Sequence, residues 1–166
     1  MFTGALAVSY YGAPRTTTDV DIMIRASQDD VRSKLVPALK KASLHADAAR
    51  IETALRSGFR IVTIKDSKSP FTLDIIFSNK KVEKNIGTIL GLPTFFQTAE
   101  ELINAKLRMI KATVPKERTI KDIDDVKAIL KFSQVNIKAI KRQAKKDGTL
   151  TIIENILAET VDNTSE

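Results

Sequence analysis

The sequence predicts an α/β (α+β) fold followed by a helical C-terminal part. Three observations point there. Residues 1–92 mix strand-like and helix-like runs. Two β-rich runs, 59–64 and 71–77, flank the polar loop 65–70, which is a hairpin pattern. Residues 98–158 keep helical spacing almost throughout. The expected organisation is an α/β core over 1–92, a helical part over 93–160 and a frayed tail over 161–166.

The elements follow from local signals. Residues 5–11 read as a short helix closed by Gly12-Ala13-Pro14, and residues 20–25 as a strand. Ser27, with Asp29 and Asp30 behind it, suits the start of a helix through Ala42. A weaker helix over 46–57 ends at Gly58. Thr98-Ala-Glu-Glu101 is a capping box opening a helix to about Ala112. Residues 119–132 and 135–146 supply two more, and Asp147-Gly148 stops the last.

Composition narrows the chemistry. The chain has 166 residues, no cysteine and one histidine, His45. Disulfide scaffolds, thiolate zinc sites and cysteine nucleophiles are excluded, as are multi-histidine metal sites. Chemistry must rest on carboxylates, hydroxyls, Lys and Arg, and any metal is a hard, oxygen-bound one. The net charge of +7 favours a polyanionic partner or substrate. Met1–Pro14 lacks the basic start and cleavage site of a signal peptide, and no run approaches a membrane span. A soluble, cytoplasmic protein without membrane contact is expected.

The most informative stretch runs from Gly4 to Ile24. Asp19 and Asp21 enter an apolar strand two residues apart, so both carboxylates share one sheet face while Val20 and Ile22 point the opposite way. Asp74 interrupts a second apolar run, Thr72-Leu-Asp-Ile-Ile-Phe77. A buried unpaired carboxylate costs several kcal/mol, so an acid there wants a metal or a cationic partner. If the two strands are neighbours, the three carboxylates converge on one or two Mg²⁺ ions. Gly4 opens the first helix, whose free N–H groups face an anion. Ser9 lies further along that helix. Arg15 and Thr16–Thr18 follow, close to where phosphates would sit. Lys106 falls within or beside the apolar stripe Leu102, Ile103, Leu107, Ile110, and either snorkels or points into a charged cleft. In residues 119–132 the expected buried face is Ile120, Ile123, Val126, Ile129 and Leu130. Asp124 and Asp125 are accounted for by the helix dipole and a Lys121–Asp125 pair, while Asp122 is a candidate to hold Arg118 or Lys106. His45 reads as a solvated surface residue.

Gly4-Ala5, thirteen intervening residues, Asp19-Val-Asp21 and then Asp74 resemble the motif of the nucleotidyltransferase superfamily related to DNA polymerase β. The string around Tyr10, Gly12, Arg15, Thr17, Asp19 and Asp21 is similar to small prokaryotic members, the AbiEii-type toxins among them. Lys106 followed by Arg118, Lys121 and Asp122 continues the likeness. Ala5 stands where that family has a second Gly or Ser. Only Met1-Phe2-Thr3 precede the motif glycine, so the family's N-terminal strand is expected to be lost, borrowed from a neighbour or encoded upstream.

The resemblance implies a nucleotidyltransferase-type mixed sheet flanked by helices. It implies a Mg²⁺-dependent enzyme, with two ions and Mn²⁺ as a substitute, that moves an NMP from an NTP to a hydroxyl and releases pyrophosphate. Asp19, Asp21 and Asp74 would be the catalytic, metal-holding residues. Gly4, Ser9, Arg15, Thr16 and Lys106 would hold the nucleotide. The acceptor would be an RNA 3′ end, tRNA among the candidates, or a protein. A homo-oligomer or an antitoxin is the expected protein partner. The alternative is a non-catalytic nucleotide- or RNA-binding module, or a toxin–antitoxin subunit, of the same fold.

Overall fold

A computed structural model describes residues 1–58, 60–79 and 82–162. The predicted tail from residue 163 lies outside them, as do the side chains of residues 161 and 162 and the predicted strand start at residue 59. The chain divides into two compact units, Met1–Leu6 with Thr16–Gln97, and Ala7–Arg15 with Thr98–Glu166. The division thus falls at Gln97–Thr98, later than the expected residue 92, and residues 7–15 group with the helical unit.

In the first unit, β1 (Asp19–Ile24) pairs in parallel with β3 (Thr72–Phe77), and β3 pairs antiparallel with β2 (Ile61–Lys65). The strand order is β1-β3-β2. The expected hairpin is therefore present, with the Asp-x-Asp strand laid against its second arm. A further hairpin, β4 (Lys84–Ile89) and β5 (Leu92–Gln97), was not anticipated. Its signal is weak because Leu90 shares the two-residue turn with Gly91, at φ 50° and 76°, and because Pro93 interrupts β5.

The first three residues connect these pieces. Phe2 bridges Ile22 on one side and Phe96 on the other. The Phe2 N–H donates to Phe95 O at 2.7 Å, and the Thr3 N–H donates to Asp21 O at 3.0 Å. Met1–Thr3 thus lies extended between β1 and β5, a role that patterning leaves unassigned because three residues carry no period.

One sheet face is apolar. Ile22, Ile24, Val62, Ile64, Leu73, Ile75 and Phe77 pack with Val31, Leu39 and Ile51 from two helical segments. The first, α2, starts at Gln28–Asp30, widens through one π turn at Val31–Leu35 and continues over Val36–Lys41. Pro37 explains the widening. It lacks an N–H for the ladder, and the Val36 N–H reaches back to Val31 O instead. The predicted cap is present, since Ser27 accepts from the Asp30 N–H and the Asp30 side chain returns the bond. The second segment, α3 (Ala48–Arg56), is capped by Asp47 and clamped to α2 by Arg32 and Glu52, Nε to Oε1 at 2.5 Å.

The second unit is helical. It holds the end of α1 (Gly4–Tyr11), then α4 (Ala99–Ala112), a 3₁₀ turn at Lys116–Thr119, α5 (Ile120–Phe132), α6 (Ile137–Asp147) and α7 (Leu150–Asp162). Its core includes Val8, Leu102, Ile103, Leu107, Val126, Ile129, Ile140 and Ile153. Gly12 is needed for close packing, because a Cβ there would meet Ala128 Cβ at 3.0 Å. Gly148 closes α6 in the left-handed region, as the Asp147-Gly148 stop predicts. Ile120 departs from expectation. It is 59% exposed, because the 3₁₀ turn ends just before it and leaves it on the rim of α5.

Three carboxyls of the first unit are held below their ordinary values. Lys34 and the Ser27 cap act on Asp30, Arg32 on Glu52, and Ser69 with the Lys68 N–H on Asp66. A carboxyl depressed on folding contributes stability above its unfolded value, 4.5 for Glu52, and loses it as pH falls through the folded value. Stability should be flat from about pH 7 to 5 and fall below about pH 4. In urea melts, Glu52→Gln should be weaker than wild type at neutral pH and equal to it once Glu52 is protonated. A difference that grows on acidification would contradict the assignment.

Candidate active site

The face opposite the apolar core carries the acids. Strand alternation puts Asp19 and Asp21 on it from β1, and Thr72 and Asp74 from β3, because Asp19 pairs with Thr72 and Asp21 with Asp74. Strands are about 4.8 Å apart, so Asp21 and Asp74 are immediate neighbours, and Asp19 is about 6.6 Å along β1. Asp19 is oriented by Thr72, whose hydroxyl donates to Oδ1 at 2.7 Å. The Thr17 side chain accepts the Asp19 N–H at 3.1 Å and fixes the entry to β1. Asp74 Oδ1 is buried without a hydrogen-bond partner. An orphaned carboxylate oxygen in this setting is costly and suits a cation.

Gly4 explains why Asp21 reaches its position. The Thr3 N–H bond to Asp21 O draws the start of α1 against β1. Gly4 has φ +58°, and a Cβ there would lie 1.9 Å from Asp21 Oδ2. Glycine is thus required both by conformation and by the carboxylate beside it. Thr16, the other nucleotide candidate in this unit, is exposed.

Ser9, Arg15 and Lys106 belong to the second unit. The Arg15 N–H donates to the Ser9 hydroxyl at 3.3 Å. Arg15 forks onto Asp125, with Nε to Oδ1 at 3.0 Å and Nη2 to Oδ2 at 3.3 Å. Lys106 is buried, with Nζ 2.6 Å from Asp125 and 2.7 Å from Asp122. It points into a charged cluster and does not snorkel. Asp122 does hold Lys106, as anticipated. Asp125 was misjudged: it is 4% exposed and links both cations, where a Lys121 pair was expected. Two cations facing two carboxylates leave the cluster neutral, which offsets the burial of Lys106 and Asp125 at its centre.

Thr72 is a positioning residue that the sequence reading leaves unassigned, and Asp125 is one that it assigns to a local pair. Thr72 had a signal, since it stands two residues before Asp74 and so shares its face. Asp125 had one in its apolar neighbour Val126, against which an acid needs a partner.

All the donors on the acidic face are oxygens, and the orphaned Asp74 Oδ1 beside Asp21 fits a hard divalent cation. Among the described residues no group of three or more His, Cys, Asp or Glu side chains is placed to hold a metal ion, so the three aspartates do not converge on one point as expected and the neighbours Asp21 and Asp74 are the pair left for a cation. Mg²⁺ does not require three, because water and substrate phosphates complete its shell.

A mixed sheet bearing Asp-x-Asp beside a third Asp, headed by a glycine-opened helix and joined in sequence to further helices, defines a nucleotidyltransferase-type fold. The model of one family, described as the nucleotidyl transferase AbiEii toxin of type IV toxin–antitoxin systems, matches residues 1–165. The chain belongs to that family. No curated protein matches it. Among the described residues no helix is long and apolar enough to cross a membrane.

The Gly4–Asp21 contact makes a sharp prediction. Gly4→Ala should cost about 2 kcal/mol or more, from the left-handed backbone and from displacing the carboxylate. Chemical denaturation measures it. A neutral effect would show that Asp21 is not held where the structure has it.

Proposed function

We propose that the protein transfers a nucleoside monophosphate from an NTP to a hydroxyl acceptor. Membership of a nucleotidyltransferase family supports the general activity. The observation that carries the finer reading is Asp74 Oδ1, buried, unpartnered and opposite Asp21. Asp19 and Asp21 would hold Mg²⁺ with the triphosphate, and Asp74 would complete a second ion site. Bound Mg²⁺ would supply charge neutralisation for the phosphates and the departing pyrophosphate. Asp74 takes the acceptor's proton. The acceptor oxygen forms a bond to the α-phosphorus as the bond from that phosphorus to the pyrophosphate oxygen breaks. Thr72 keeps Asp19 oriented throughout.

Gly4 contributes backbone rather than a side chain, allowing close approach at the helix start. Thr16, exposed just before β1, offers a hydroxyl to phosphate. Arg15 and Lys106 already face Asp125 and Asp122, so a phosphate would compete with those carboxylates. Their first role is to position the loop after α1 and the helices α4 and α5. The net charge of +7 favours an RNA 3′ end over a protein as acceptor. The type IV toxin–antitoxin family points to an antitoxin as the functional counterpart.

That no three acidic side chains among the described residues are placed to hold a metal supports a second reading, a nucleotide-binding module without turnover. Labelled NTPs with Mg²⁺ and RNA or protein acceptors distinguish the two. Wild type should transfer label, and Asp19→Ala, Asp21→Ala and Asp74→Asn should each lose at least about a hundredfold in rate. Metal-dependent NTP binding in calorimetry with no transfer to any acceptor would favour the second reading. Transfer at wild-type rate by the Asp19→Ala/Asp21→Ala variant would overturn the first.

A further inference from the structure

We propose that the open edge of β2 binds an extended acidic peptide segment of a partner protein, which adds to the sheet as a fourth strand beside β2. The proposal is independent of the catalytic reading.

β2 is the last strand of its sheet, with β3 on one side and, among the described residues, no strand on the other. The direction of its backbone groups follows from the pairing. Arg60 O accepts the Phe77 N–H at 2.8 Å, and the Asp66 N–H donates to Phe71 O at 3.1 Å. Antiparallel pairs alternate, so Val62 and Ile64 also turn their main chain towards β3. Ile61, Thr63 and Lys65 therefore turn their N–H and C=O groups outward. Each offers one donor and one acceptor at a two-residue repeat of about 6.8 Å, the repeat of another β-strand. Neither proline nor a bulge blunts the edge between Ile61 and Lys65.

A cavity of about 640 Å³ opens along this edge. Val62, Thr63, Ile64 and Lys65 line it consecutively. Consecutive residues of a strand point to opposite faces, so a cavity touching all four lies at the strand's side. Its other wall is the start of α3 and the segment before it, including His45, Asp47 and Arg50. Asp47 is engaged as the α3 cap, with Oδ1 2.8 Å from the Ala49 N. Arg50 and Lys65 are exposed and outnumber the single cap carboxylate, which leaves the groove net basic.

Charge selects the occupant. A second copy of the chain paired edge to edge would set one net-basic groove against another. An acidic strand instead meets Arg50 and Lys65 while its backbone completes the ladder. A nucleic acid would satisfy the cations, but its phosphates offer no donors for the outward C=O groups.

The test uses the full chain and an end-capped, fluorescently labelled peptide alternating Glu and Val. Saturable binding by anisotropy is expected, with amide exchange at Ile61, Thr63 and Lys65 slowed at least about tenfold. N-methylation of alternate peptide nitrogens, Lys in place of Glu, or Arg50→Glu with Lys65→Glu should each weaken binding at least about tenfold. Thr63→Pro removes an outward donor where an edge tolerates proline, and should abolish binding. Should that variant fail to fold, the charge variants and the exchange data decide. Binding indifferent to N-methylation, absent slowing at those amides, or oligouridylate RNA binding in the groove where the peptide does not would each overturn the proposal.

Discussion

Parallel pairing of β1 with β3 sets Asp21 directly opposite Asp74, and the site depends on that register. The pairing is enforced from behind. Ile22, Ile24, Leu73, Ile75 and Phe77 alternate with the acids and are buried with Val31, Leu39 and Ile51. Slipping either strand by one residue would turn this apolar set to the acidic face and drive the carboxylates into the core. Hydrophobic burial thus holds like charges together on the opposite side. Two adjacent carboxylates repel, and the orphaned Asp74 Oδ1 gains nothing from the protein. The apolar packing of the sheet thus supports an arrangement that a bound cation would relieve.

Other contacts fix each unit by itself. Met1–Thr3 bridges β1 to β5, and Gly4 brings the helix start against Asp21 without a side chain in the way. Thr72 and Thr17 hold Asp19 from two directions. In the helical unit, Asp125 ties Arg15 to Lys106, and Asp122 adds a second carboxylate to that lysine. The cluster joins three stretches distant in sequence: the end of the α1 loop, α4 and α5. Truncating Asp125 alone would leave two cations around a buried space, so the four residues behave as one group.

Legibility followed how local each cause was. Asp74 stood out because an acid in an apolar run is costly wherever the strand lies. Asp19 and Asp21 were placed on one face by period alone. That β1 neighbours β3 could only be stated as a condition, since parallel pairing joins strands far apart in sequence. Thr72 was passed over for the same reason, its partner being set by register. Asp125 was hidden by an adequate local explanation, the helix dipole and an i, i+4 lysine, which the tertiary cluster overrode. The β4–β5 hairpin escaped because its turn puts Leu90 at positive φ and its second strand contains Pro93. Caps and stops at Ser27, Thr98 and Gly148 were legible because backbone N–H and C=O groups at helix ends need partners close by.

The claim that the carboxylates of β1 and β3 form one cation site is tested most directly by Mn²⁺ titration. Electron paramagnetic resonance would follow the ion with a non-hydrolysable NTP analogue present. Wild type should bind Mn²⁺ more tightly with the analogue than without it. Asp21→Asn and Asp74→Asn should each weaken that binding at least about tenfold. Equal Mn²⁺ binding by wild type and both variants would contradict the account.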